Sequence, residues 1–424
     1  LLCFYSIIFN YNWIYKLKKS VFSISSKIAL MNAISEHPPS KLDFIAFSFF
    51  IIVSAALAII AYLFGGVDFG VYYAAGKVFL HGGNPYDFSQ LVNEIISSTG
   101  STNNPYYYAP WFTWFLSVIA IFPYDVARIL WAILNYCLWV SALFNLSKLI
   151  PWPALGWQRW GMYLYLSFVF AWATWGSEQV GIIVFLIITF VLISFQAQKW
   201  MFMGVWMALL LFKPNITSLP VLILSLWLIL QGKWKPIVSM LCLFVFMIGA
   251  SLLISPGWYF EILQPDKIIG LSYTLNAAGE TQIERYTTTL LDWLSIYQIE
   301  NGWAYSVYGV IVLVSIYYIW RIVYNSNSAI QVMSVGILVT FAVVPYALFY
   351  DYPSLALTLF FINFKFTQKP EFIWFQRLIN FLIFFSLFIG DDIRYWYWMI
   401  VVLVAALLAD AFLKKIHFKK IIHA

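Results

Sequence analysis

From Phe44 to Phe64 the chain reads FIAFSFFIIVSAALAIIAYLF, with no charge anywhere in the run. About 20 apolar residues in a helix cross the hydrocarbon core of a bilayer. A helix also satisfies its own backbone polar groups there. Further apolar segments follow at about 109–122, 126–147, 160–175, 178–196, 200–212, 215–230, 236–255, 303–323, 329–349, 351–363, 372–389 and 394–412. They are continuous and do not alternate, which argues against a β-barrel. Only 10% of the residues are charged, against roughly 25% in a soluble domain. The sequence therefore predicts an all-α, polytopic transmembrane helical bundle, one domain over 43–412.

Cytoplasmic loops carry an excess of Lys and Arg. Lys41 puts the start of the first helix inside, and the basic stretch 413–424 reads as a cytoplasmic tail. Alternating sides from that end put 390–394 outside, 365–370 inside, 345–353 outside, 321–325 inside and 256–301 outside. Segments 231–235 and 196–199 then fall inside and 176–179 outside. Thirteen apolar segments cannot leave both ends on one side, and the conflict lies between 109 and 176. It disappears if 109–122, with proline at both ends, dips in and returns, which leaves about twelve spans. Residues 1–42 read as a cytoplasmic tail or as translated upstream sequence, with Met31 as the start in the second case.

The net charge of +6 is best read through Lys and Arg beside the helices and gives no argument for nucleic acid. Cys3, Cys137 and Cys242 are scattered, with no CxxC, so neither a metal site nor a disulfide framework is implied. No P-loop, GxSxG, HExxH or GxGxxG is present, and no cofactor is expected.

The most polar long stretch is the loop 65–108, placed outside. It opens GGVDFGVYYAAGKVFLHGGNPYD (65–87) and closes toward NNPYYYAP (103–110). Residues 69–80 can form a short helix along the membrane interface, with Asp68 at its start. Asp68 is then either an N-cap, stabilised by free N–H groups and the helix dipole, or a general base at the membrane surface. An interfacial site largely avoids the roughly 2.5–3.5 kcal/mol that a carboxylate costs at the centre of a spanning helix. Tyr72 and Tyr73 on the same helix are candidate substrate contacts. His81 and Asp87 flank Gly82–Gly83–Asn84–Pro85, a turn signal. His81 is either a substrate contact or a structural histidine.

Glu178 and Gln179 in GSEQ, Lys213 in LFKPN, and Tyr350–Asp351 before Pro353 all fall toward the outer side. Ionisable groups at such depth usually face a cavity. Lys213 can meet an anionic phosphate, pair with Glu178, or cap helix carbonyls ahead of Pro214. Arg285 is a second candidate phosphate ligand or a solvated charge. Asp391, Asp392 and Arg394 read as a solvated hairpin loop. The segment 256–301, carrying Tyr273, Glu280, Glu284, Arg285, Tyr286 and Asp292, suits a folded cap over a cavity better than a disordered tether.

Five stretches, in order, resemble glycosyltransferase family 87 of the GT-C superfamily, the polyprenol-phosphate-mannose-dependent type. They are VDFGVYYAAGKVFLHGGNPYD (67–87), YYYAPWFTWFLSVIAIFP (106–123) with LWAILN (130–135), GSEQVGIIVF (176–185), GVWMALLLFKPNITSLPVLILSLWLILQGKWK (204–235) and VVPYALFYDYPSLAL (343–357). The resemblance implies a GT-C-type bundle in a bacterial inner or plasma membrane, with its active site on the outer face. It also implies a base in the first outer loop, at Asp68, and a lipid-phosphate-sugar donor entering sideways from the outer leaflet. Family members often carry a histidine in the segment matching 345–352, where this chain has Tyr350 and Asp351. The glutamine of the family's Gly–Gln element corresponds loosely to Gln179, with Ser177 and Glu178 intervening.

The function implied is transfer of a hexose, mannose foremost, from a polyprenyl-phosphate-sugar to a lipid or glycan acceptor, with inversion. Such chemistry needs a base for the acceptor proton and positive charge for the leaving phosphate. One carboxylate and one or two cations suffice, so metal independence is expected. The competing reading is a transporter or flippase for a lipid-linked sugar. That class usually shows repeated halves and broken helices in matching positions, and no matching halves are visible here.

Overall fold

The computed structural model describes residues 41–65, 68–99, 106–150, 156–254, 257–258, 273–275, 281–283, 288–299, 301–367, 372–390 and 392–409. Residues 1–40 of the proposed tail 1–42, the proposed tail 413–424, most of the 256–301 segment, Arg285 and Asp391 lie outside these residues, and Lys41 and Leu42 already belong to the first helix.

Helix α1, Lys41–Phe64, is apolar all round. Its buried residues are Phe50, Ser54 and Ala61, while Phe44, Ile45, Phe49, Ile52 and Leu63 are exposed. A helix that shows aliphatic and aromatic side chains outward is built for lipid. Helix α2, Phe69–Leu80, follows at once. The expected helix over 69–80 is present, but protein surrounds it. Nine of its twelve residues are buried, because α3 (Phe88–Thr99) and α4 (Pro110–Ile119) pack against it. Helix α4 has ten residues and is therefore about 15 Å long, half the thickness of the hydrocarbon core. Pro110 starts it, where a missing N–H costs nothing.

Helix α5 (Tyr124–Leu149) is the second long apolar helix. Helix α6 (Gly156–Leu166) runs through a π-helical turn, Ser167–Ala171, into α7 (Trp172–Gly176). Then come α8 (Gly181–Gln196), α9 (Trp200–Leu210), α10 (Pro214–Leu230) and α11 (Trp234–Ile254). Two three-residue strands, β1 (Tyr273–Leu275) and β2 (Thr281–Ile283), pair antiparallel with Tyr273 opposite Ile283. Short α12 (Leu290–Ile296) leads to α13 (Asn301–Asn325) and α14 (Ala329–Val343). A 3₁₀ turn, Phe349–Ser354, feeds α15 (Leu355–Thr367), which is followed by α16 (Ile373–Phe385) and a last helix over 398–409.

Among the described residues, four helices are long and apolar enough to cross a membrane: Lys41–Phe64, Tyr124–Leu149, Trp234–Leu253 and Gly302–Asn325. The other apolar helices are shorter, between 10 and 17 residues. Only 17% of the apolar window is buried in the first and fourth of the long helices, which leaves them facing lipid. The inner helices reverse this. In α14 twelve residues are buried, from Ala329 to Ala342, and α8 is nearly as enclosed. Helix α8 packs against α5 and α9, and its start meets the 3₁₀ turn. The core thus sits around α8 and α14, and the polar joints converge at the start of α8.

Candidate active site

Asp68 occupies the joint between α1 and α2. It stands at the N-cap position of α2, yet its side chain makes no cap hydrogen bond. Its Oδ2 accepts instead from Gln179 Nε2 at 2.7 Å. The partner comes from the turn that ends α7. Glu178 N–H bonds the carbonyl of Trp175 at 3.2 Å, and Gln179 N–H that of Thr174 at 3.1 Å. That pair of bonds, with Glu178 left-handed at φ 55, is a Schellman closure. A side chain in this conformation costs roughly 1–2 kcal/mol, and glycine avoids the cost.

Gln179 Oε1 accepts from the Tyr72 hydroxyl and from the Tyr108 hydroxyl at 2.9 Å. The two hydroxyls are 2.8 Å apart. Two hydroxyl protons cannot serve three contacts at once, so one edge of this triangle always lacks a proton. Both tyrosines come from the polar stretch singled out in the sequence, one at each end.

Opposite lies a buried ion pair. Lys213, ahead of Pro214 at the start of α10, bonds Asp351 Oδ1. Asp351 Oδ2 accepts the Leu348 N–H at 3.2 Å and so caps its own 3₁₀ turn. The ammonium also stands over the rings of Tyr350 at 5.3 Å and Tyr108 at 5.6 Å. Lys213 therefore pairs with Asp351, not with Glu178, whose cation is Arg128 at 2.7 Å. Sequence reasoning missed the first pair because 138 residues separate its partners.

The two halves sense each other. Burial raises the Asp68 carboxyl above its ordinary value; the Gln179 bond and the Lys213 charge pull it down, and the Asp351 charge adds to the rise. A close backbone approach fixes the same assembly. At Gly181 an added Cβ would stand 2.3 Å from the Tyr350 carbonyl oxygen, so only glycine lets α8 begin against this turn. Thr174 Oγ1 donates to that same carbonyl at 2.9 Å.

The structure thus brings together Asp68, Tyr72, Gln179, Lys213, Tyr350 and Asp351, and adds Tyr108. Glu178 adjoins them but turns its carboxylate toward Arg128. Tyr73 donates its hydroxyl to the Phe122 carbonyl at 3.0 Å and packs on Tyr124, which ties α2 to α5. His81 is exposed at the C-terminal cap of α2, where its N–H bonds the Lys77 carbonyl. Asp392 and Arg394 pair with each other at 2.5 Å, partly exposed. Among the described residues no three His, Cys, Asp or Glu converge as a metal site would require.

A partly buried carboxylate held by a neutral amide can take up a proton, and an ammonium across from it can receive a developing anion. No curated protein matches the chain. The sequence pattern of glycosyltransferase family 87 matches residues 106–345, a stretch that contains Tyr108, Arg128, Gln179 and Lys213 and is flanked by Asp68 and Asp351. With more than half of its 424 residues matched, this membrane-embedded, helical chain belongs to glycosyltransferase family 87.

Proposed function

We propose that the protein transfers a hexose, mannose foremost, from a polyprenyl-phosphate-sugar to a lipid or glycan acceptor at the outer face of the membrane. The chain crosses about twelve times in this reading. The observation that carries it is the arrangement of Asp68 and Lys213 across one site, with the carboxylate held by Gln179 and not by a cation.

The reaction is a single displacement. The acceptor hydroxyl gives its proton to Asp68 while its oxygen bonds the anomeric carbon. The bond from that carbon to the donor's phosphate oxygen breaks, and the electron pair leaves with the polyprenyl phosphate. Lys213 meets the developing charge, with Arg285 as a second cation, and Tyr72, Tyr108 and Tyr350 line the sugar's path. Direct displacement with one essential carboxylate inverts the anomeric centre. The upward shift of Asp68 helps, since a base works best when its pKa approaches the working pH.

The test is transfer in membranes carrying wild type or Asp68→Asn, with labelled polyprenyl-phosphate hexose and native lipid and glycan extracts. Wild type should make labelled product, and the inserted variant should lose at least about 100-fold in rate. Equal transfer by both would remove Asp68 from the chemistry. Movement of labelled lipid between leaflets without transfer would favour a flippase instead.

A further inference from the structure

Glu178 stands where a helix closure favours glycine, in the left-handed conformation. Its side chain is buried to within 1%. Placing a carboxylate in such a spot is costly twice over, in backbone and in desolvation. One oxygen, Oε1, accepts from Arg128 Nε at 2.7 Å. The other, Oε2, is buried with no hydrogen-bond partner among the described residues. The group's polar contact is therefore with Arg128 and not with the Asp68 cluster beside it.

Arg128 has a second grip. Its Nη2 donates to the Tyr62 carbonyl at 3.3 Å and to the Gly65 carbonyl at 3.2 Å, and its guanidinium covers the Tyr62 ring at 4.4 Å. These are the last carbonyls of α1, the end of a helix that favours a cation. Trp131, one turn further along α5, donates Nε1 to the Glu178 carbonyl at 2.7 Å. Gly65 itself touches the Gly176 backbone so closely that an added Cβ would stand 1.9 Å from its oxygen. Three residues after Gly65 comes Asp68, and one residue after Glu178 comes Gln179.

We propose that Arg128 and Glu178 are positioning residues that lock the end of α1 to the 177–180 turn and thereby hold the Gln179 amide on Asp68. This rests on the transfer reading given above. The groups facing Glu178 are Arg128 and Tyr124 on α5 and Asp68 on the joining segment, with Tyr62 of α1 against Arg128. Burial lifts the Glu178 carboxyl to about 7, against the pull of Arg128. The clamp is thus charged above neutral pH and loosens below it.

The experiment compares wild type, Arg128→Lys, Arg128→Gln, Glu178→Gln and the Arg128→Gln/Glu178→Gln double variant in hexose transfer, each across pH. A displacement of about 1 Å at a reacting group costs about 100-fold, so Arg128→Gln should lose on that order in kcat, with donor KM within about twofold. Glu178→Gln should remove the clamp's share of the acid limb near pH 7 and leave the part set by protonation of Asp68. The double variant should be no worse than Arg128→Gln, as expected of groups acting as one unit. A tenfold rise in donor KM at unchanged kcat would make Arg128 a donor ligand and overturn the proposal, as would losses that multiply in the double variant.

A second readout needs no activity: the rate at which dicyclohexylcarbodiimide labels Asp68, followed by peptide mass spectrometry. Loss of the Gln179 bond favours the protonated carboxyl, so labelling should quicken at least about threefold in Arg128→Gln. Arg128→Lys keeps the charge but lacks the planar fork and serves if the glutamine variant does not fold. Unchanged labelling in a folded variant would sink the clamp. If wild type transfers no hexose, the transfer reading fails and the labelling still decides the clamp.

Discussion

The Lys213–Asp351 pair offers the sharpest test of how this site is held together. Both side chains are buried, at 7% and 1% exposure. Breaking a buried pair from one side costs about 3–5 kcal/mol, because the remaining charge stays in a poor solvent. The two single variants should nevertheless differ. In Lys213→Met the Asp351 carboxylate keeps, among the described residues, the Leu348 N–H at 3.2 Å, so a loss of about 4 kcal/mol is expected. In Asp351→Asn the ammonium keeps the faces of Tyr350 and Tyr108, at 5.3 and 5.6 Å. A desolvated cation gains up to about 2 kcal/mol from such a face, which brings the loss down to about 2. The double variant leaves no unpaired charge buried, so it should lose less than either single variant, and the two single losses should not add. Reversible unfolding in mixed micelles, titrated with a denaturing detergent, would measure all four corners of the cycle. Single losses that add to within about 0.5 kcal/mol would refute the pairing.

Two further perturbations follow from the same geometry. Gln179→Leu removes the amide that pulls the Asp68 carboxyl down, so the acid limb of kcat/KM should move to higher pH, with a lower maximum rate; an unmoved limb would separate Gln179 from Asp68. For Glu178 the signs oppose each other. Its folded pKa lies near 7, above the ordinary 4.5, so the folded state binds the proton more tightly than the unfolded chain. The cost of holding it charged is complete above about pH 7 and vanishes below about 4.5. Thermal stability should therefore rise as pH falls through that window while transfer falls, and Glu178→Gln should flatten the stability trend while the fall in transfer set by Asp68 remains.

Much of the fold was legible because lipid leaves few choices. Runs such as 44–64 can only be helices, and those helices are where the sequence put them. Asp68, Gln179, Lys213 and Asp351 were each visible as polar residues beside apolar runs. Their mutual partners were not, because pairing here is a matter of crossing helices. Lys213 meets Asp351 across 138 residues, and Gln179 meets Asp68 across 111. The depth of α2 was also hidden. Residues 69–80 can lie along the interface when read in isolation, but α3 and α4 pack against this helix and nine of its twelve residues are buried. Tyr108 was hidden in the repeated tyrosines of 106–108, where nothing local separates the residue that bonds Gln179 from its neighbours.

The pairing pattern itself argues for which carboxylate works as the base. Glu178 is met by Arg128, Asp351 by Lys213 and, further off, Asp392 by Arg394. A carboxylate bonded to a guanidinium or ammonium is committed to that ion pair, and taking up a proton would break it. Asp68 is met by an amide. An amide orients the carboxylate through one N–H while its neutral charge leaves protonation open, and burial tilts the balance further that way. Gln179 is in turn fixed by two tyrosine hydroxyls, so the carboxylate is held in place without being neutralised. A base must be positioned and able to take up a proton without giving up an ion pair, and among the carboxylates of this site Asp68 meets the two conditions together.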